Sequence, residues 1–119
     1  MGIFRDLLIW QKAMLVVTDI YAVTNNFPKS EIYSLTSQLR RSAISIPSNI
    51  AEGYGRHGNK DYLKFLNIAI ASLFEMQTQI EIAYNLKYID QTQFNKLYED
   101  SREIERMISA FSRKIKTTL

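Results

Sequence analysis

The residues best equipped for chemistry crowd into one stretch, Ser37 to Lys64, which reads SQLRRSAISIPSNIAEGYGRHGNKDYLK. Arg40, Arg41, Arg56, Lys60 and Lys64 stand there against Glu52 and Asp61, a net charge of +3. The whole chain has 15 basic and 12 acidic residues, also +3, so everything outside the stretch sums to zero. Guanidinium and ammonium groups neutralise phosphates and release the counterions of a polyanion, which gives affinity with little sequence readout. Arg40, Arg41, Arg56, Lys60 and Lys64 are therefore the candidate phosphate contacts for an acidic partner such as nucleic acid, with His57, the only histidine, as an auxiliary. Tyr54 and Tyr62 lie among these cations, where an aromatic face can stack on a base. A second basic cluster, Arg106, Arg113, Lys114 and Lys116, lies near the C-terminus. The plainer reading of all these charges is solubility and compensation of helix ends, which would make the chain a protein-protein interaction or scaffold module that captures a partner protein.

Other chemistries fare worse. Glu52 and Glu75 form a conceivable carboxylate pair, and Asn49, Ser72 and Gln79 fall where apolar residues are expected. Buried polar groups find partners, so Asn49, Glu52 and Glu75 read as structural, with Arg40 or Arg41 as the arginines to pair the carboxylates. Gly53 to Gly58 spells G-x-G-x-x-G, but that motif needs a preceding strand to deliver a pyrophosphate to a helix start, and a helix precedes it here. With no cysteine, one histidine and no Glu-x-x-His pair, no metal site and no catalytic residue is assigned, and no cofactor is implied.

These residues need elements to hold them, and the hydrophobic spacing gives four helices. The first is expected from about Asp6 to Asn25, with Leu7, Trp10, Met14, Val17, Tyr21 and Thr24 as its apolar stripe and Ala13 and Ile20 widening it. Asn25, Asn26 and Pro28 end it. The second is expected from Glu31 to Tyr54, capped by Ser30, with Ile32, Leu35, Leu39, Ser42, Ile46, Asn49 and Gly53 on one seam. Pro47 lies inside that run and predicts a kink rather than a break, because the seam keeps its phase on both sides. The third is expected from Asn59 or Lys60 to Lys87, with two adjacent apolar stripes that call for more than one neighbour. The fourth is expected from Asp90 or Gln91 to Lys116 along Phe94, Leu97, Ser101, Ile104, Ile108, Phe111 and Ile115. Short connections force neighbouring helices antiparallel. The fold class is all-α: one antiparallel up-down-up-down four-helix bundle over residues 1–119.

At 119 residues a single core is feasible without staples. The absence of cysteine fits a reducing compartment. The apolar residues near the N-terminus are split by Gln11 and Lys12, too interrupted for a signal peptide, and nothing approaches the ~20 apolar residues of a membrane span. Asp6 stands where a myristoylation motif needs serine or threonine. A cytoplasmic protein is the expectation.

Several runs carry a resemblance to a known family. They are Asp6-Leu7 with Trp10-Gln11-Lys12-Ala13, then Phe27-Pro28, then the long run Leu35 to Gly53, and Phe65-Leu66 followed by Ala69, Ser72-Leu73 and Glu75. Together they resemble the four-helix-bundle proteins of bacterial 23S ribosomal RNA intervening sequences, over essentially the whole chain. The resemblance implies a bundle often assembled as a ring-like homopentamer, and no catalytic residues. It also implies, through the accessory proteins of diversity-generating retroelements, a basic surface that binds RNA together with a reverse transcriptase. Members commonly carry glycine before the serine of the third helix; this chain has Ala71.

Overall fold

The computed structural model describes residues 3–56 and 58–118. A 3-10 turn at Phe4–Asp6 leads into α1 (Leu8–Thr24). A second 3-10 turn, Lys29–Glu31, precedes α2 (Leu35–Tyr54), and α3 (Asn59–Asn85) and α4 (Gln91–Lys116) complete the bundle. No strand occurs among the described residues. The rod measures 46 × 23 × 23 Å.

Cross-helix pairs run in opposite order along each neighbouring pair of helices. Lys12 meets Glu103 while Asp19 meets Lys96, so α1 and α4 are antiparallel. Ser42 meets Gln79 and Ser45 meets Ser72, so α2 and α3 are antiparallel. Tyr62 packs on Phe111 and Tyr84 on Phe94, so α3 and α4 are antiparallel. The α2–α3 turn and the end of α4 thereby share one pole, confirmed by an Asn59 Nδ2–H bond to Thr118 Oγ1 at 2.6 Å. The α1–α2 and α3–α4 connections share the other.

The buried stripe of α1 differs from the expected one. Ala13, Ile20 and Thr24 face the core as expected, but Ile9 and Val16 join them, whereas Met14 and Tyr21 are exposed and Trp10 and Val17 half-buried. The helix is apolar almost all round, so spacing alone could not choose its phase. Packing chose small and β-branched residues for the centre and left the bulky ones at the rim facing α2.

The start of α2 is also corrected. The helix begins at Leu35, not Glu31, and Ile32 is 52% exposed. Ser30 does not cap it. Glu31 does that work from outside the helix, its Oε1 accepting from the Leu35 N–H at 3.3 Å. The helix then runs unbroken through the buried Pro47, so the single-helix reading holds over two broken ones. The α2 seam is otherwise as expected, with Leu39, Ser42, Ile46 and Gly53 buried and Asn49 half-buried.

Helix α3 stops two residues earlier than expected. Lys87 adopts a left-handed φ of 65°, and the Tyr88 N–H bonds back to the Ala83 carbonyl at 2.9 Å. This is the Schellman stop, with lysine where glycine is usual. Helix α4 opens on a capping box: the Gln93 N–H donates to Asp90 Oδ1 at 2.8 Å, and the Asp90 N–H to Gln93 Oε1 at 2.9 Å. Its seam buries Leu97, Ser101, Ile104, Ile108 and Ile115 against Leu66, Leu73, Met76 and Ile80 of α3 and the seams of α1 and α2.

Candidate nucleic-acid interface

The five arginine and lysine candidates, all among the described residues, do not form one surface. Arg40 points toward the α1–α2 pole. Its Nε donates to Thr24 Oγ1 at 2.8 Å, another nitrogen to Asn25 Oδ1 at 3.3 Å, and the guanidinium stacks 4.5 Å from the Tyr21 ring. These bonds close the C-terminal end of α1, so Arg40 is a fold residue rather than a free phosphate ligand. Arg41 lies near mid-helix, bonded to Gln38 and 3.8 Å from Glu75. Arg56 pairs with Glu52 at 2.7 Å and lies over the Phe65 ring at 4.9 Å. Lys60 and Lys64 are exposed and make no ion pair with a described residue. His57 lies outside the described residues.

Lys60 and Lys64 open a shallow groove of about 750 Å³ that runs along α3 past Asn67, Ile68 and Ser72 to Glu75. Ala71 lines it, exposed, so its methyl group crowds nothing. The bundle topology adds a feature that sequence spacing did not give. Because Asn59 bonds Thr118, the hairpin cations Arg56, Lys60 and Lys64 share a pole with Arg113, Lys114 and Lys116 of α4, some fifty residues away in sequence. Arg5, at the same end, covers the Trp10 ring at 5.7 Å. Asp6, Glu52 and Asp61 are the acids of this pole, so cations dominate it. Long flexible lysine side chains over an apolar base are well suited to a backbone of phosphates.

Glu52 and Glu75 do bond to arginines, as the structural reading expects, but on the surface rather than near the core. Their side chains are 52% and 44% exposed, and the partner of Glu52 is Arg56, not Arg40 or Arg41. Asn49 donates to the Ser45 carbonyl at 2.8 Å and to Ser45 Oγ at 2.9 Å, and Ser72 donates to the same Oγ at 2.8 Å. The Ser42 hydroxyl donates to Gln79 Oε1 at 2.7 Å. The polar seam residues thus satisfy one another across α2 and α3.

Tyr54 and Tyr62 do not offer free faces for bases. Tyr54 meets Tyr62 edge-on at 6.1 Å, and Tyr62 meets Phe111 edge-on at 5.4 Å. The Tyr62 hydroxyl is enclosed and finds no protein partner among the described residues. Burial, with the neighbouring Tyr54 phenol adding to it, pushes the Tyr62 phenol up to about 12. A folded-state value above the unfolded one means stability that is fully present below pH ~10 and is lost as pH rises toward 12. Absorbance titration is expected to show one tyrosine ionising near 12, and Tyr62→Phe to remove that step. Ionisation of all tyrosines together near pH 10 would contradict the enclosure.

No group of three or more His, Cys, Asp or Glu side chains able to hold a metal occurs among the described residues. No helix among them is long and apolar enough to cross a membrane.

Fold and surface together define a small all-α protein whose one basic pole is built on a helical bundle. The chain belongs to the 23S rRNA-intervening sequence protein family, whose sequence profile matches residues 5–110. A solved structure with a similar fold is a protein with unknown function from the S23 ribosomal protein family of Bacteroides thetaiotaomicron. It shares 23% identity, covers 88% of this chain and 98% of its own, and superposes with a TM-score of 0.82. At that identity the likeness speaks for the fold. No curated protein matches the chain. Neither the family description nor the solved relative names an enzymatic activity.

Proposed function

We propose that this chain is a non-enzymatic, self-associating helical bundle that binds structured RNA through its basic pole. The observation that carries the reading is the convergence of Lys60 and Lys64 with the cations at the end of α4. Ribosomal RNA is the class of RNA that the family description suggests. Contacts would go to phosphates, with shape rather than base identity selecting the target. Arg56 joins when Glu52 yields to a phosphate; Arg41 lies too far along α2 to be central. A cytoplasmic location goes with this reading. Titration of a structured RNA at several salt concentrations tests it: log affinity should fall linearly with log salt. Affinity that ignores salt would refute it.

The self-association rests on how charge is divided among the helices. Helix α1 carries only Lys12 and Asp19, both paired to α4, while α4 carries charge along most of its length. The outer surface of α1 presents Leu8, Met14 and Leu15, and Leu15, 66% exposed, stands beside the paired charges of the α1–α4 cleft. The outer side of α3 presents Phe74 and Ile82 beyond the groove that Lys60 and Lys64 open. Two unlike apolar flanks on one rod suit a head-to-tail arrangement, closing as a ring such as the pentamer the family suggests. Replacing Leu15 by glutamate is expected to reduce the particle mass in light scattering while leaving the helical signal intact. A wild-type mass equal to one chain would remove self-association and leave the RNA reading in place.

A further inference from the structure

At the basic pole, the start of α1 and the last turns of α4 leave a groove between them that the fold does not fill. It holds about 380 Å³, within the range of roughly 300–1,000 Å³ typical of small-molecule sites. Leu7 and Leu8 form one wall and Met107, Ala110 and Phe111 the other, with Lys114 at the end nearest the close of α4. Leu8 is 57% exposed, and the exposed side chain at Ala110 is only a methyl group, which leaves the groove open. The walls are set before any ligand arrives. Tyr62 packs edge-on against Phe111, ring centres 5.4 Å apart, and holds it from the α3 side. One turn further from the pole than Leu8 and Met107, Lys12 and Glu103 pair at 3.2 Å, which joins the two helices and closes the other end.

The chemistry of the walls selects the occupant. Apart from Lys114, every lining side chain is apolar, so nothing there reads a base edge or a peptide amide. From Met107 to Lys114 the groove follows two turns of α4, about 10 Å at 1.5 Å per residue. That is too short to seat a helix and long enough for an extended alkyl chain. Lys114 is the one charged group in the lining and makes no ion pair with a described residue, so it matches a headgroup with a single negative charge. The nearby carboxylates do not cancel it. Glu103 is balanced by Lys12, and Asp6 lies outside the groove walls with Arg5 next to it in the chain. Methylenes laid over leucine, methionine and phenylalanine leave water, while a carboxylate at the ammonium keeps its charge paired. We infer that this groove binds a medium-chain fatty-acid anion, its tail along α4 and its carboxylate at Lys114.

The inference is independent of the RNA reading above, and titration calorimetry of the intact chain tests it. Decanoate is expected to bind saturably, while decyltrimethylammonium, with the same tail and the opposite charge, is not. Octanoate should bind about fivefold more weakly than decanoate, since each methylene taken fully out of water is worth up to about fourfold. Ala110→Phe should fill the groove and weaken decanoate about tenfold by displacing two or so methylenes. Lys114→Gln should weaken it about threefold, as loss of an exposed charge pair does. Both positions are exposed, so circular dichroism of the variants should match the parent. The methyl resonance of Met107 should shift on titration, and that of Met14, on the α1–α2 side, should not. No saturable decanoate binding by the parent, equal binding of the two amphiphiles, or full affinity in either variant overturns the site and leaves the basic pole standing. Loss of particle mass in Ala110→Phe would assign the groove to a subunit contact and also overturns it.

Discussion

Replacing Lys60 and Lys64 together by glutamate is expected to lower affinity for structured RNA about a hundredfold at low salt. It should also reduce the slope of log affinity against log salt by about two, one for each lost phosphate contact. Both side chains are exposed on the first turns of α3, and neither pairs with a described residue, so the fold has no stake in them. The matched control is Arg40→Ala. Its guanidinium closes the end of α1 through Thr24 and Asn25, so its loss should cost about 1–2 kcal/mol of stability and leave the salt slope unchanged. Filter binding or fluorescence anisotropy across a salt series reads both. An RNA affinity that survives the double reversal, or falls equally in Arg40→Ala, would sink the assignment of the basic pole.

The second large effect is structural and falls at a close approach of α2 to α3. Gly53 is buried, and a Cβ placed there would come within 2.9 Å of both Phe65 Cβ and Tyr62 Cδ1. Phe65 Cβ is fixed to the α3 backbone, so relief requires the two helices to part. Removing a glycine from a helix interior gains about 1 kcal/mol of propensity. Overpacking opposes that gain by about 1–3 kcal/mol for one extra carbon, and by more for a branched side chain. Gly53→Val is therefore expected to lose about 3 kcal/mol, read by denaturant unfolding with an unchanged m-value. Equal stability to the parent would show that the helices separate easily at this pole, and that the packing of Tyr62 on Phe111 is not tight.

Much of this arrangement was legible before any coordinates, and the misses have physical causes. Helix α4 alternates apolar and polar residues sharply, so its buried face could be read from spacing alone. Helix α1 is apolar on nearly every side, and the choice of Ile9 and Val16 over Trp10 and Met14 came from packing, which spacing does not encode. The start of α2 was misplaced because Glu31 resembles a first-turn acid; it acts one turn earlier, as a side chain reaching forward to Leu35. Arg40 and Arg56 looked equivalent as cations in one run. Arg40 lies near the start of α2 and Arg56 just past its end, with the 14 residues from Arg40 to Tyr54 spanning roughly 21 Å at 1.5 Å per residue, so the two serve opposite ends of the rod. The union of the α3 start with the α4 end could not be seen in local patterns, since it follows only from closing the bundle.

The serine and glutamine bonds between α2 and α3 bear on which misfolded states the chain avoids. Sliding α3 along α2 by one turn, about 5.4 Å, would keep oily residues opposite oily residues over most of the contact. It would also part Ser42 from Gln79 and Ser45 from Ser72, stranding hydroxyls and an amide in poorly hydrated ground at about 1–3 kcal/mol apiece. Grease alone would tolerate several alignments of these two rods; the small polar rungs act as teeth that engage in only one.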